Sequence, residues 1–234
     1  MNKLLTYINA FIELFYPELC VACGVNLITH EKVLCSKCIY ELPRTYFHKV
    51  PGNPMEQAFW GRVDIHKAAA LFFFVNKSRF RHLIHLLKYN NRKDIGIELG
   101  RLYGNELISE ADFKTIDYVI PVPLHYKKLQ KRGYNQSEMI AKGLTKVLPA
   151  DLRTDFLYRK KFTETQTKKL RYERWENVNN VFGVKNGNNL NNKHILLVDD
   201  VMTTGSTIEG CANALLNTAE NIKISIVTLA FAHY

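Results

Sequence analysis

Apolar residues change their period in a regular way from residue 62 onward. Residues 68–75 (AAALFFFV) form a continuous apolar run, the signature of a strand buried on both faces. Phe80, Leu83, Ile84 and Leu87 follow at i, i+3, i+4 and i+7, the stripe of an amphipathic helix. Residues 95–107 continue as a second helix, and 116–122 read as a strand that closes on Pro121-Val122-Pro123. Ile140, Leu144, Val147 and Leu148 mark a further helix; residues 194–198 form a strand; Ile208, Cys211, Ala212 and Leu215 form a helix, and 222–231 a last strand. Residues 151–182 are polar and charged with brief apolar pieces, which predicts a short strand and a mobile excursion. Strand and helix in alternation predict an α/β fold with a mostly parallel sheet covered on both faces.

The N-terminal quarter follows other rules. Leu4, Ile8, Phe11 and Phe15 fall at helical spacing and predict an amphipathic helix within residues 1–19. Cysteines dominate residues 20–43, while residues 44–61, rich in Pro, Gly, Asn and aromatics, read as a linker wrapping onto the next unit. Two parts result, 1–61 and 62–234, within a length of 234 residues that suits one ordinary domain and a small appendage. The apolar stretch 4–15 is interrupted by Glu13 and lacks a small-residue cleavage site after it. No stretch approaches the roughly 20 apolar residues of a membrane span. The expectation is a cytoplasmic chain with reduced thiols.

Four of the five cysteines lie within nineteen residues, as Cys20-x2-Cys23 and Cys35-x2-Cys38 with eleven residues between the pairs. Each pair places two sulfurs at a tight turn, and Gly24 allows the left-handed conformation such a knuckle uses. Four thiolates closing a tetrahedron around Zn²⁺ make a structural site with no open position for chemistry. Such a module binds nucleic acid, binds protein, or staples a short segment, and the spacing does not choose among these.

The net charge of +10, or +8 with four thiolates and one Zn²⁺, suits a polyanionic partner, either a nucleic acid or a pyrophosphate-bearing ligand. Residues 195–207, ILLVDDVMTTGST, indicate where such a ligand would sit. A buried strand ends in Asp199 and Asp200, and a short loop then opens a helix near Ile208. Amides at a helix start point at an anion, Gly205 lets the backbone approach closely, and Thr203, Thr204, Ser206 and Thr207 add hydroxyls. Two carboxylates would repel a bare phosphate, so they make sense holding ribose hydroxyls or Mg²⁺ beside it. A Walker A reading fails because the lysine and the early glycine are missing. From Asp199 through Val201 to Thr207 the run is similar to the phosphoribosyl pyrophosphate (PRPP) fingerprint of type I phosphoribosyltransferases.

Residues 119–137, VIPVPLHYKKLQKRGYNQS, are a second strand opening into a basic loop. Lys127, Lys128, Lys131 and Arg132 could face a pyrophosphate there, with Asn135 and Gln136 offering amides at a helix start. Residues 159–182 carry Arg159, Lys160, Thr165, Gln166, Leu170, Arg174 and Asn177 in a polar stretch that is hard to place inside a compact domain.

The order of the four-cysteine segment, Leu87-Lys88-Tyr89, Pro121 to His125, Arg132 to Gln136, the Thr-Gln…Arg…Asn pattern and the loop at 199–207 resembles the ComF family along essentially the whole chain. Tyr126 stands where many members have Pro, and Tyr134 where Phe is commoner. The resemblance implies a type I phosphoribosyltransferase-like fold with a small N-terminal zinc module, PRPP with Mg²⁺ as ligands, a hood over 159–182, and a role in competence for natural transformation. Two functions stay open. One is pentosyl transfer from PRPP to a nitrogen nucleophile. The other is non-catalytic handling of single-stranded DNA alongside competence helicase and uptake proteins, with the loop regulatory or vestigial; Tyr7, Tyr16, Tyr46, Phe47, Phe59 and Trp60 near Lys and Arg fit it, as stacking platforms do. Such linker aromatics equally pack onto a neighbouring domain. The acceptor is not legible, and Lys88 and Tyr89 have no assigned role.

Overall fold

The computed structural model describes residues 17–75, 78–160 and 181–232. Its helices are α1 (Ser36–Tyr40), α2 (Pro54–Gln57), α3 (Arg81–Tyr89), α4 (Lys93–Leu107), α5 (Ala111–Lys114), α6 (Tyr126–Arg132), α7 (Gln136–Leu144) and α8 (Ser206–Leu216). Its strands are β1 (Lys67–Phe73), β2 (Tyr118–Pro121), β3 (Asp151–Leu152), β4 (Leu157–Arg159), β5 (Phe182–Val184), β6 (His194–Met202) and β7 (Lys223–Phe231). Five of them form one parallel sheet in the order β1-β7-β6-β2-β3, and β4 pairs antiparallel with β5. The α/β class with a mostly parallel sheet is therefore as the apolar runs predict.

β6 is the central strand because its first five residues are buried, with no polar face to offer solvent. Chain direction reverses around it. After β2 the chain moves outward to β3, whereas after β6 it moves the other way, to β7. The crevice beyond the C-terminal ends of β2 and β6 is thus a topological switch point, where open α/β sheets place ligands. β6 also runs past its apolar stretch, through Asp199 and Asp200 to Met202, because Val201 and Met202 still pair with Ala230 and Phe231.

α4 and α7 meet almost backbone to backbone. A Cβ at Gly100 would lie 2.2 Å from the Ile140 carbonyl oxygen, and one at Gly143 would lie 2.1 Å from that of Ile97. This contact fixes α7, whose first residues reach the crevice.

Residues 44–61 wrap onto β1 as a linker of that composition should. The Thr45 amide donates to Leu71, Phe73 donates back to Pro43, and the Asn53 side chain donates to Ala68 while capping α2. Phe47 packs edge-on against Phe73 and Phe231 with ring centroids 5.5 Å apart in each case. Arg44 ties the cysteine segment to α4, donating to Glu106 at 2.7 Å and to the Ile39 carbonyl at 2.6 Å.

One expectation needs revision, and two others fall mostly outside the described residues. Residues 126–132, expected as an open basic loop, form α6, N-capped by His125 and ended by Gly133 at φ 75°. None of its residues is buried, so no apolar stripe betrays it. Of the helix expected over 1–19, residues 1–16 lie outside the described residues, and Leu19 instead bridges to Asn26 as extended chain. Of the excursion, residues 161–180 lie outside them too, including Thr165, Gln166, Leu170, Arg174 and Asn177; its flanks are β4 and β5.

Gly100→Ala and Gly143→Ala should each cost stability by about 1–3 kcal/mol or more, since the clash is with backbone. Gly133→Ala, with nothing within 4 Å of its Cβ but a positive φ, should cost less. Urea unfolding of the three variants checks the order, and equal losses would contradict the close helix contact.

Candidate phosphate-binding cleft and metal centre

The loop after β6 presents hydroxyls and a helix start to the surface. Thr203, Thr204, Ser206 and Thr207 are all exposed, while Gly205 between them is buried at φ 76° and N-caps α8. That left-handed conformation favours glycine, and a Cβ there would also sit 3.0 Å from Met202 and 3.1 Å from the Phe59 ring. The loop is held from outside by Arg62. Its guanidinium donates to the Thr204 carbonyl at 3.1 Å and to Ala58 at 2.9 Å, and pairs with Glu209 on α8. Phe59 and Arg62 belong to the linker, so this support was not readable from the loop's own residues.

Beside the loop lies a cleft of about 190 Å³. Asp199, Asp200, Val201 and Thr207 form one wall; Val122, Pro123 and Leu124 follow β2; Lys128, Arg132, Gln136 and Ser137 come from α6 and α7; Lys88 and Arg159 complete it. Four cations thus face two carboxylates. Arg132 donates to Gln136 at 2.7 Å and lies over the Tyr89 ring at 5.4 Å, which fixes its guanidinium.

Of the other residues expected at the basic segment, Lys127 and Lys131 are exposed on α6 and do not line this cleft. The Asn135 side chain is spent on structure, donating to Val122 at 2.9 Å and accepting from the Ser137 amide at 3.1 Å.

The acids are partly buried and unequal. Asp199 Oδ1 accepts from the Ser137 hydroxyl at 2.9 Å and from the Asp200 amide at 2.8 Å. Asp200 Oδ2 pairs with Lys88 Nζ at 3.0 Å. Burial and the neighbouring Asp200 charge push the Asp199 carboxyl up from 3.8 to about 7, against the pull of the amide, the hydroxyl and Lys88. Ser137 and Lys88 are partners the sequence did not reveal. Lys88 stood out only as part of a motif, and Ser137 only as the residue after Gln136.

The second site is the cysteine cluster, whose four sulfurs lie within 4.8 Å of one another, with Cys23 and Cys35 3.7 Å apart. Four thiolates around tetrahedral Zn²⁺ sit about 3.8 Å apart, so the set fits that ion. Gly24, at φ 75°, closes the first knuckle, its amide donating to Cys20 at 2.8 Å. Burial and the crowding of the other sulfurs push the Cys38 thiol far up, a cost that a bound dication removes. Burial also acts to raise Cys20, but amides of Cys35, Ala22 and Cys23 outweigh it and bring it to about 7.

The chain is similar to several known proteins. Residues 131–233 match the phosphoribosyl transferase domain family. The DNA utilization protein YhgH of Escherichia coli O157:H7 is 29% identical over 215 residues, 88% of each chain. Competence protein F of Haemophilus influenzae is 27% identical over 217 residues, 86% of this chain and 92% of its own. Competence protein ComFC of Bacillus subtilis is 31% identical over 111 residues, 47% and 43% of the two chains. A hypoxanthine phosphoribosyltransferase from Staphylococcus aureus superposes on 59% of this chain and 64% of its own at 19% identity, with a TM-score of 0.37. Among the described residues no helix is long and apolar enough to cross a membrane.

Two outcomes are expected. Purified protein should carry one Zn²⁺ per chain by elemental analysis, and Cys38→Ser should lose it together with thermal stability; an unchanged metal content would contradict the assignment. Folded Asp199 keeps a proton that the unfolded chain releases, so it lowers stability as pH rises from about 4 to about 7. Asp199→Asn should therefore gain thermal stability relative to wild type between pH 5 and pH 8, and a constant difference across that window would contradict the raised carboxyl.

Proposed function

We propose that this chain, a homologue of competence protein F with a phosphoribosyl transferase domain over residues 131–233, binds PRPP or ribose 5-phosphate in the cleft beside β6. The observation that carries the reading is the pairing of an exposed hydroxyl-rich helix start with two carboxylates immediately upstream. The 5′-phosphate lies on the amides and hydroxyls of 203–207, where the α8 macrodipole favours negative charge. Asp199 and Asp200 accept from the ribose hydroxyls. Pyrophosphate extends toward Lys128 and Arg132, with Gln136 keeping Arg132 in place.

The carboxylate oxygens of this pair are hard donors of the kind that suit Mg²⁺, and together with the ribose hydroxyls they would hold it. Bound with PRPP, the ion would supply charge neutralisation for the departing pyrophosphate. The chain's own contribution to pentosyl transfer is positioning and preorganised charge. The cations of α6 and α3 stabilise the leaving group, the acids fix the ribose as positive charge grows at C1′, and the phosphate loop anchors its far end.

A second reading has specific support. Trp60 is 66% exposed and sits two residues from Arg62, which clamps the phosphate loop, and relatives carry the names DNA utilization protein and competence protein. Phe47 and Phe59, by contrast, are buried and serve packing. An exposed indole beside a cation is a platform on which bases of single-stranded DNA stack.

The two functions separate in one experiment. Isothermal titration should show PRPP binding in the presence of Mg²⁺, and the Asp199→Asn, Asp200→Asn double variant should lose it by at least 100-fold. Unchanged affinity in that variant would refute the role of the acids. Pyrophosphate release against a panel of nucleobases supports transfer; PRPP binding without release, together with salt-dependent affinity for single strands, supports DNA handling.

A further inference from the structure

The cation that balances the acid pair does not come from the loops around the cleft. Lys88 stands in the last turn of α3, so a helix fixes its backbone. That turn is anchored from below. Leu87 is fully buried, and its carbonyl accepts from the hydroxyl of the buried Tyr134, which lies between α6 and α7. A phenylalanine at 134 could not make this bond. Next to Lys88, Tyr89 carries the Arg132 guanidinium over its ring. The end of α3 thus bears on two cations of the cleft at once.

Lys88 is also placed for more than structural pairing. Its side chain is 24% exposed and that of Asp200 13%, so the 3.0 Å contact lies on the cleft wall and not on the open surface. The same cleft is lined by Lys128, Arg132 and Arg159. An uncompensated Asp200 would repel a second anionic group nearby, whereas an ammonium on it can accept one. A lysine has three donors, enough to keep Asp200 and still reach a phosphate oxygen.

We infer that Lys88 is a ligand-binding residue that joins the two halves of the cleft, holding Asp200 at the ribose while contacting the pyrophosphate, and so makes the site prefer PRPP over ribose 5-phosphate. The inference rests on the PRPP reading of the site. It gives Lys88 a specificity role distinct from that of the phosphate loop, because the loop meets the 5′-phosphate that both ligands share.

The test compares affinities for PRPP and ribose 5-phosphate by isothermal titration of the full-length, zinc-loaded protein, with Mg²⁺ constant throughout. Wild type should prefer PRPP. Lys88→Met should lose at least tenfold more affinity for PRPP than for ribose 5-phosphate, and Lys88→Arg should restore most of the preference. Lys88→Gln, shorter and neutral, is read in the same way should the Met variant fold poorly. A neutral variant that weakens both ligands equally, or neither, leaves the ratio unchanged and overturns the role of Lys88 while leaving the PRPP reading intact. Wild type binding neither ligand overturns that reading and this inference with it.

Discussion

Two adjacent carboxylates at the end of a buried parallel strand are expensive to keep, and much of the molecule is arranged around keeping them. Desolvation and mutual repulsion favour the proton on one of them. Compensation comes from three directions: a hydroxyl at the start of α7, an ammonium at the end of α3, and the backbone amide between the acids themselves. Each direction depends on a separate packing feature. α7 is fixed by the glycine contact with α4, and α3 by the buried Leu87 and the Tyr134 hydroxyl. Such an arrangement contributes nothing to folding that an apolar strand end would not supply better, and burdens of this kind cluster at functional sites.

The N-terminal segment is coupled to the same place. The linker that follows the cysteine cluster lies along β1, then delivers Phe59 beneath Gly205 and Arg62 onto the Thr204 carbonyl. For the phosphate-binding role proposed for this loop, preorganised amides matter, because amides that must reorient on binding give up part of the affinity. The cysteine knuckles, tied to α4 through Arg44 and Glu106, hold the start of that linker. The four-cysteine cluster is thereby connected to the loop by continuous chain and defined contacts.

Much of this was legible in the sequence because it is local. The buried strands show as unbroken apolar runs, the cysteine pairs show by spacing, and the strand, acid pair and loop of 195–207 show as thirteen consecutive residues. What stayed hidden depends on contacts across the chain. Lys88 and Asp200 are 112 positions apart, Arg62 and Thr204 142, and no periodicity records such pairs. α6 escaped because a helix with no buried residue has no stripe to read. Asn135 stands at a helix start, and the structure shows its side chain capping that helix and donating to Val122, a contact thirteen residues back that spacing does not record.

The central claim is that the amides of 203–207 hold a sugar phosphate with the ribose turned toward Asp199 and Asp200. The most direct measurement is titration of isotopically labelled protein with ribose 5-phosphate, followed through its backbone amide resonances. Saturable shifts concentrated on Gly205, Ser206 and Thr207 and extending to Asp199 and Asp200 are the predicted result. Shifts confined to other parts of the molecule, or none at saturating ligand, would contradict it.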